Sequence, residues 1–88
     1  MITGEIRITN KLGLHARPAT KLVKIASQSG TEVIIEKEGV KVNASSILGV
    51  MLLQAEYGSI VKVSVTGENE QIVLEEILNL IRNKFDEE

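Results

Sequence analysis

Eighty-eight residues with a formal net charge of −2 make one small domain, residues 1–88, with a modest core and no room for a second. The absence of cysteine excludes disulfides and Cys-based metal or nucleophile chemistry, and one Tyr, one Phe and no Trp argue against a base-stacking nucleic-acid surface. No apolar run approaches the ~20 residues that span a bilayer, and no basic-then-apolar leader is visible, so the sequence predicts a cytoplasmic protein without membrane insertion.

Residues 2–9 alternate, with Ile2, Gly4, Ile6 and Ile8 on one face and Thr3, Glu5, Arg7 and Thr9 on the other, as in a half-buried strand. A helix is predicted from about Ala16 to Ser27, stopped near Gly30. Ala19, Leu22, Val23 and Ala26 form its apolar stripe. Residues 32–37 and 40–42 read as two strands joined at Glu38-Gly39 in a short hairpin. A second helix starts near Ser46, and its run of Ile47, Leu48, Val50, Met51, Leu52 and Leu53 is wider than one buried stripe requires. Residues 60–66 form the last strand, with Val61, Val63 and Val65 on one face. Asn69 is the expected N-cap of the final helix, whose core stripe is Leu74, Ile77, Leu78, Ile81 and Phe85, with residues 86–88 fraying. The order β-α-β-β-α-β-α favours an α+β domain, an antiparallel sheet with helices on one face.

The only histidine and the only proline stand together in Gly13-Leu14-His15-Ala16-Arg17-Pro18. Proline lacks an N–H, a loss that only the first turn of a helix tolerates. His15 therefore falls at or beside the N-cap. The Ala16, Arg17 and Ala19 amides are expected to point outward, where the helix dipole favours an anion. A nucleophilic imidazole, a guanidinium able to offer two N–H groups and free amides suit a phosphoryl group held on histidine. Gly13 would let a partner's active site come close. A lone histidine at a helix start is more often a capping or surface residue, so the spacing alone does not decide between the two.

The run Asn10-Lys11-Leu12-Gly13-Leu14-His15-Ala16-Arg17-Pro18-Ala19 resembles the phosphorylation-site signature of the histidine-containing phosphocarrier (HPr) family of the phosphoenolpyruvate-dependent phosphotransferase system. Val42-Asn43-Ala44-Ser45-Ser46-Ile47-Leu48-Gly49-Val50-Met51 resembles that family's regulatory-serine region. The resemblance implies an open-faced β-sandwich, a four-stranded antiparallel sheet backed by three helices. It implies a stoichiometric carrier, not an enzyme, in which His15 takes a phosphoryl group from enzyme I and passes it to enzyme IIA domains of sugar transport. Arg17, the Ala16 amide and the helix start at Pro18 complete the implied transfer site, and no metal or cofactor is expected.

Ser46 is the expected cap of the short helix, although the adjacent Ser45 leaves that assignment open by one residue. The resemblance makes Ser46 the target of an HPr serine kinase/phosphorylase, with Ser45 where switch-competent members often carry lysine. Partner contacts are expected at Ala16, Thr20, Ile47, Leu48 and Met51, rimmed by Arg17, Lys21 and Lys24, with the Thr20 hydroxyl free for a rim hydrogen bond. Val50 and Leu53 are expected in the core. Positive charge gathers early, with Arg7, Lys11, Arg17, Lys21 and Lys24 against Glu5, while residues 68–88 are strongly acidic. That basic rim would draw acidic partner surfaces. Two alternatives stand beside this reading. The Ile8-Thr9-Asn10-Lys11-Leu12-Gly13 start and the Lys84-Phe85-Asp86 ending also resemble the nitrogen-related branch. A non-transferring regulatory module on the same surface is the other, and the presence of His15 counts against it.

Overall fold

The computed structural model describes residues 1–28 and 30–86. The chain runs β1 (Ile2–Arg7), α1 (Ala16–Gln28), β2 (Glu32–Lys37), β3 (Val40–Asn43), α2 (Ile47–Leu52), β4 (Ile60–Thr66) and α3 (Glu70–Arg82), followed by a 3-10 turn over Lys84–Asp86. The four strands form one antiparallel sheet in the order β1-β4-β2-β3.

Register follows from the alternation. Gly4 and Ile35 both stand opposite Val63, and Ile2 and Val33 both stand opposite Val65. Val33, Ile35, Val61, Val63 and Val65 are buried on the helix-covered face, while Thr3, Glu5, Glu32 and Lys62 are exposed on the other. A one-residue slip would exchange those two sets. Each fully buried aliphatic side chain here contributes about 1.5–3 kcal/mol. Gly4 leaves room for Leu74 and Leu78 of α3 to press onto β1. The β2–β3 hairpin turns through Glu38 (φ 50°) and Gly39 (φ 84°), the two positive φ angles of a turn whose twist matches the flanking strands.

Several boundaries differ from expectation. β1 ends at Arg7, two residues early, because Ile8 pairs with the 58–59 turn: its N–H donates to the Ser59 carbonyl and its carbonyl accepts from Gly58, both at 2.7 Å. α1 runs one residue further than expected, to Gln28. Asn69 occupies the N-cap position of α3, but its φ of 60° turns the side chain away from capping. Glu70 takes over that end, accepting from the Gly67 amide at 3.3 Å and pairing with the N-terminal ammonium at 3.3 Å. Phe85 is in the core, as its place in the stripe requires, yet it does not belong to α3. Lys84, Phe85 and Asp86 have φ of 56°, 57° and 60°, a left-handed turn. A left-handed backbone costs about 1–2 kcal/mol per residue, and burial of the Phe85 side chain offsets part of that cost. The turn is closed by the Asp86 amide on the Asn83 carbonyl, so Asp86 does not fray, whereas Glu87 and Glu88 lie outside the described residues. No helix among the described residues is long and apolar enough to cross a membrane.

Candidate functional site

The segment before α1 is held by one buried asparagine. Asn10 is 1% exposed, and its side-chain amide donates to the Gly13 carbonyl at 2.9 Å while the Gly13 amide donates back to the Asn10 carbonyl at 3.2 Å. Leu14 then donates to the Ala55 carbonyl at 2.8 Å and buries its side chain. Gly13 has φ +66°, and a Cβ there would lie 2.5 Å from the Ala55 carbonyl oxygen and 2.8 Å from Glu56 Cα. Its smallness therefore serves a close approach within the chain, to the 55–56 backbone, and not an incoming partner as expected. Asn10 carried no assigned role in the sequence; the legible signal was an Asn three residues before a Gly, the local bonding pattern of a turn.

Anchored by Leu14 on one side and by buried Pro18 and Ala19 on the other, His15 is exposed at the helix start. The first backbone bond of α1 runs from the Ala19 amide to the His15 carbonyl at 2.8 Å, which makes His15 the N-cap. Ala19 thus does not offer an outward amide, contrary to expectation, because the fourth residue of a helix already has a carbonyl one turn back. Ala16 and Arg17 occupy the first two helical positions, whose amides have no intrahelical acceptor, and Pro18 occupies the third. Both Ala16 and Arg17 are exposed.

Two expected surface groups are otherwise engaged. The Thr20 hydroxyl donates to the Ala16 carbonyl at 2.8 Å, so its proton is not free for a partner; a threonine within a helix reaches back one turn. Lys21 is half-buried and its ammonium donates to the Phe85 carbonyl, which ties α1 to the C-terminal turn. Lys24 is exposed.

The second constellation is α2. Ser46 is its N-cap, with an extended backbone (φ −115°, ψ 120°) and a hydroxyl oxygen that accepts from the Gly49 amide at 3.1 Å. Ser45 is occupied differently: its amide and hydroxyl both donate to Asn43 Oδ1, at 2.9 and 2.7 Å. Val50 and Leu53 are buried, as expected. Ile47 is exposed, Met51 is half-buried, and Leu48 and Leu52 are each 75% exposed. His15 and Met51 line one open cavity of about 350 Å³ with Leu12, Leu14, Gln54, Ala55 and Glu56. Exposed Leu12 thus extends the apolar surface beyond the residues expected from the sequence, and Leu52 of α2 is exposed as well. Lys37 of β2 reaches the end of α2, its ammonium donating to the Gln54 carbonyl at 2.8 Å and the Leu53 carbonyl at 3.3 Å. A cation at a helix C-terminus is favourable, and nothing in the sequence marked Lys37 for it.

An exposed histidine at the cap of α1, followed by an exposed arginine in its first turn, is an arrangement that suits an anionic group. The protein-family model described as the PTS HPr component phosphorylation site matches residues 2–83. The chain belongs to the HPr family of the phosphotransferase system. The phosphocarrier protein HPr of Xylella fastidiosa is 41% identical over 88 residues, covering 100% of this chain and 99% of the relative. The phosphocarrier protein NPr of Escherichia coli is 36% identical over 84 residues, covering 94% and 93%. The crystal structure of HPr-C-His from Thermoanaerobacter tengcongensis superposes with a TM-score of 0.96 at 43% identity, covering 100% of this chain and 99% of that one. The β-α-β-β-α-β-α fold read from the sequence is the HPr fold. This HPr-family chain is a phosphocarrier component of the phosphotransferase system, a family defined by a phosphorylated histidine, and not an enzyme in the ordinary sense.

Proposed function

We propose that His15 is the phosphoryl acceptor, taking the group from phosphorylated enzyme I and delivering it to enzyme IIA domains in the cytoplasm. The observation that carries this reading is the placement of the chain's only histidine, exposed at the N-cap of α1. A ring nitrogen of His15 forms a bond to phosphorus as the donor's bond breaks, and the reverse exchange hands the group on. The phosphoryl oxygens meet the amides of the first turn and the Arg17 guanidinium, which holds them by paired N–H groups.

Both partners would use one surface. Its apolar centre is Ala16, the Thr20 methyl, Ile47, Leu48 and Met51, now with Leu12 and Leu52; Arg17 and Lys24 make the basic rim, and the Lys21 charge acts from its place against Phe85. A modest apolar patch with a charged rim suits a carrier that must leave one partner before meeting the next. The relay test supplies enzyme I, phosphoenolpyruvate and an enzyme IIA domain, and follows label to the acceptor with and without the chain. Arg17→Lys should slow both transfers about tenfold, since its charge is kept but the paired geometry, about 1.4 kcal/mol, is lost. Unchanged rates in both directions would remove Arg17 from the site.

The NPr relative matches nearly as well as those named HPr, which favours a second reading in which the acceptor belongs to the nitrogen-related branch. Offering both kinds of enzyme IIA in the same relay decides between them by rate.

Ser46 is the site of a negative switch if a cognate serine kinase is present. Phosphorylation adds close to two negative charges at a helix N-terminus, where they are tolerated, and places them beside the apolar patch of α2. Ser46→Asp keeps a capping oxygen, so stability should change by no more than about 0.5 kcal/mol. Its affinity for enzyme I should fall about tenfold. Ser45→Asp is the comparison, measured for melting temperature and enzyme I binding alike. A binding defect in Ser45→Asp alone assigns the switch to Ser45 instead of Ser46, and unfolding of Ser46→Asp rules out electrostatic exclusion.

A further inference from the structure

One wall of the His15 cavity is the stretch where α2 ends, with Met51, Gln54, Ala55 and Glu56 among the lining residues. The chain leaves the helix through Gln54, whose φ of 52° is left-handed. Glycine takes that conformation freely, whereas a residue with a Cβ keeps it where the surroundings fix it. Of the non-glycine residues with positive φ among the described residues, Gln54 is the one that lines this cavity.

What fixes it comes from both sides of the residue. The Gln54 amide donates to the Met51 carbonyl at 3.1 Å, and the Gln54 carbonyl accepts from the half-buried Lys37 at 2.8 Å. The same ammonium donates to the Leu53 carbonyl at 3.3 Å. Helix ends leave such carbonyls without an intrahelical donor, and here a residue of the sheet supplies one. The next carbonyl in the chain, that of Ala55, accepts from the Leu14 amide at 2.8 Å. Leu14 is buried, and His15 follows it directly. Two consecutive carbonyls thus have opposite duties: the first is held by Lys37, and the second holds the segment that carries the histidine.

We infer that Lys37 is a positioning residue for phosphoryl transfer: by holding Gln54 left-handed it aims the Ala55 carbonyl at Leu14, and so sets where His15 stands. The inference rests on the reading of His15 as the phosphoryl acceptor. Lys37 acts through the backbone of residues 53–55 and not on the reacting atoms. Small errors of placement are costly in such a site, since a shift of about 1 Å in a reacting group can slow a reaction on the order of a hundredfold.

The test follows phosphoryl uptake from enzyme I and phosphoenolpyruvate by full-length variants, each below its melting temperature. Lys37→Met keeps the aliphatic stem and removes the donors. It should slow uptake at saturating enzyme I about tenfold while its affinity for enzyme I stays within about twofold, and the Leu14 and Ala55 amide resonances should shift. Gln54→Gly removes the need for the restraint, so in that background Lys37→Met should slow uptake less than about twofold. A lysine that served only as a surface charge or as a cation at the helix end would cost the same in both backgrounds, and that result would overturn the inference. So would an unchanged rate in Lys37→Met, or a loss confined to affinity for enzyme I. If Lys37→Met does not fold, the double variant decides: a folded chain that takes up label supports the restraint, and an unfolded one overturns it. Normal labelling of the unaltered chain and of Lys37→Met alike would overturn this inference alone, whereas no label on the unaltered chain would overturn the acceptor reading and this inference with it.

Discussion

His15→Ala should fold like the unaltered chain and take up no label from enzyme I and phosphoenolpyruvate. The imidazole is exposed, and the bond that starts α1 is made by the His15 carbonyl, which alanine keeps. A surface change of this kind alters stability by no more than about 0.5 kcal/mol. Loss of label therefore reports on chemistry and not on folding, provided the melting temperature is measured on the same preparation. No other side chain replaces the nucleophile: the chain has neither a second histidine nor a cysteine. The unaltered chain should carry acid-labile label at one group per molecule. Acid-labile label at that stoichiometry on His15→Ala would place the acceptor elsewhere and remove the proposed function with it.

Gly13→Ala should be among the most damaging single-methyl additions in the chain. Two costs act together. A left-handed φ of +66° disfavours any Cβ by about 1–2 kcal/mol, and the new carbon would lie 2.5 Å from the Ala55 carbonyl oxygen. Backbone cannot rotate aside as a side-chain end can, so the 55–56 segment must move, which adds about 1–3 kcal/mol. The sum corresponds to a fall in melting temperature of roughly 10–30 °C for a domain of this size. Gly39→Ala is the control. Its φ is +84°, but no atom lies within 4 Å of the added carbon, so only the conformational cost applies. The Gly13 variant should also transfer phosphoryl groups slowly, because the same contact seats Leu14 beneath His15. If it melts no lower than Gly39→Ala, the close approach to Ala55 carries no weight in the fold.

Elements whose residues repeat with a period of two or near 3.6 were legible without coordinates. β4 spans residues 60–66 as expected, and the Ser46 cap, the Glu38-Gly39 turn and the buried Val50 and Leu53 all stand where their local chemistry puts them. His15 at the head of α1 was legible for the same reason, since the single proline admits few other placements. These features depend on bonds between near neighbours in the chain. Other features join segments that are distant in sequence, and only the tertiary structure decided them. Gly13 meets Ala55, Lys37 ends α2, Lys21 holds Phe85, and Met51 shares a cavity with His15. The left-handed turn at Lys84–Asp86 belongs with them, because a pattern of apolar residues shows that Phe85 is buried but not which backbone path takes it there. Periodicity encodes which face of an element is apolar; which hydrogen-bonding groups then meet across the core depends on how those faces pack, and no short-range rule contains that information.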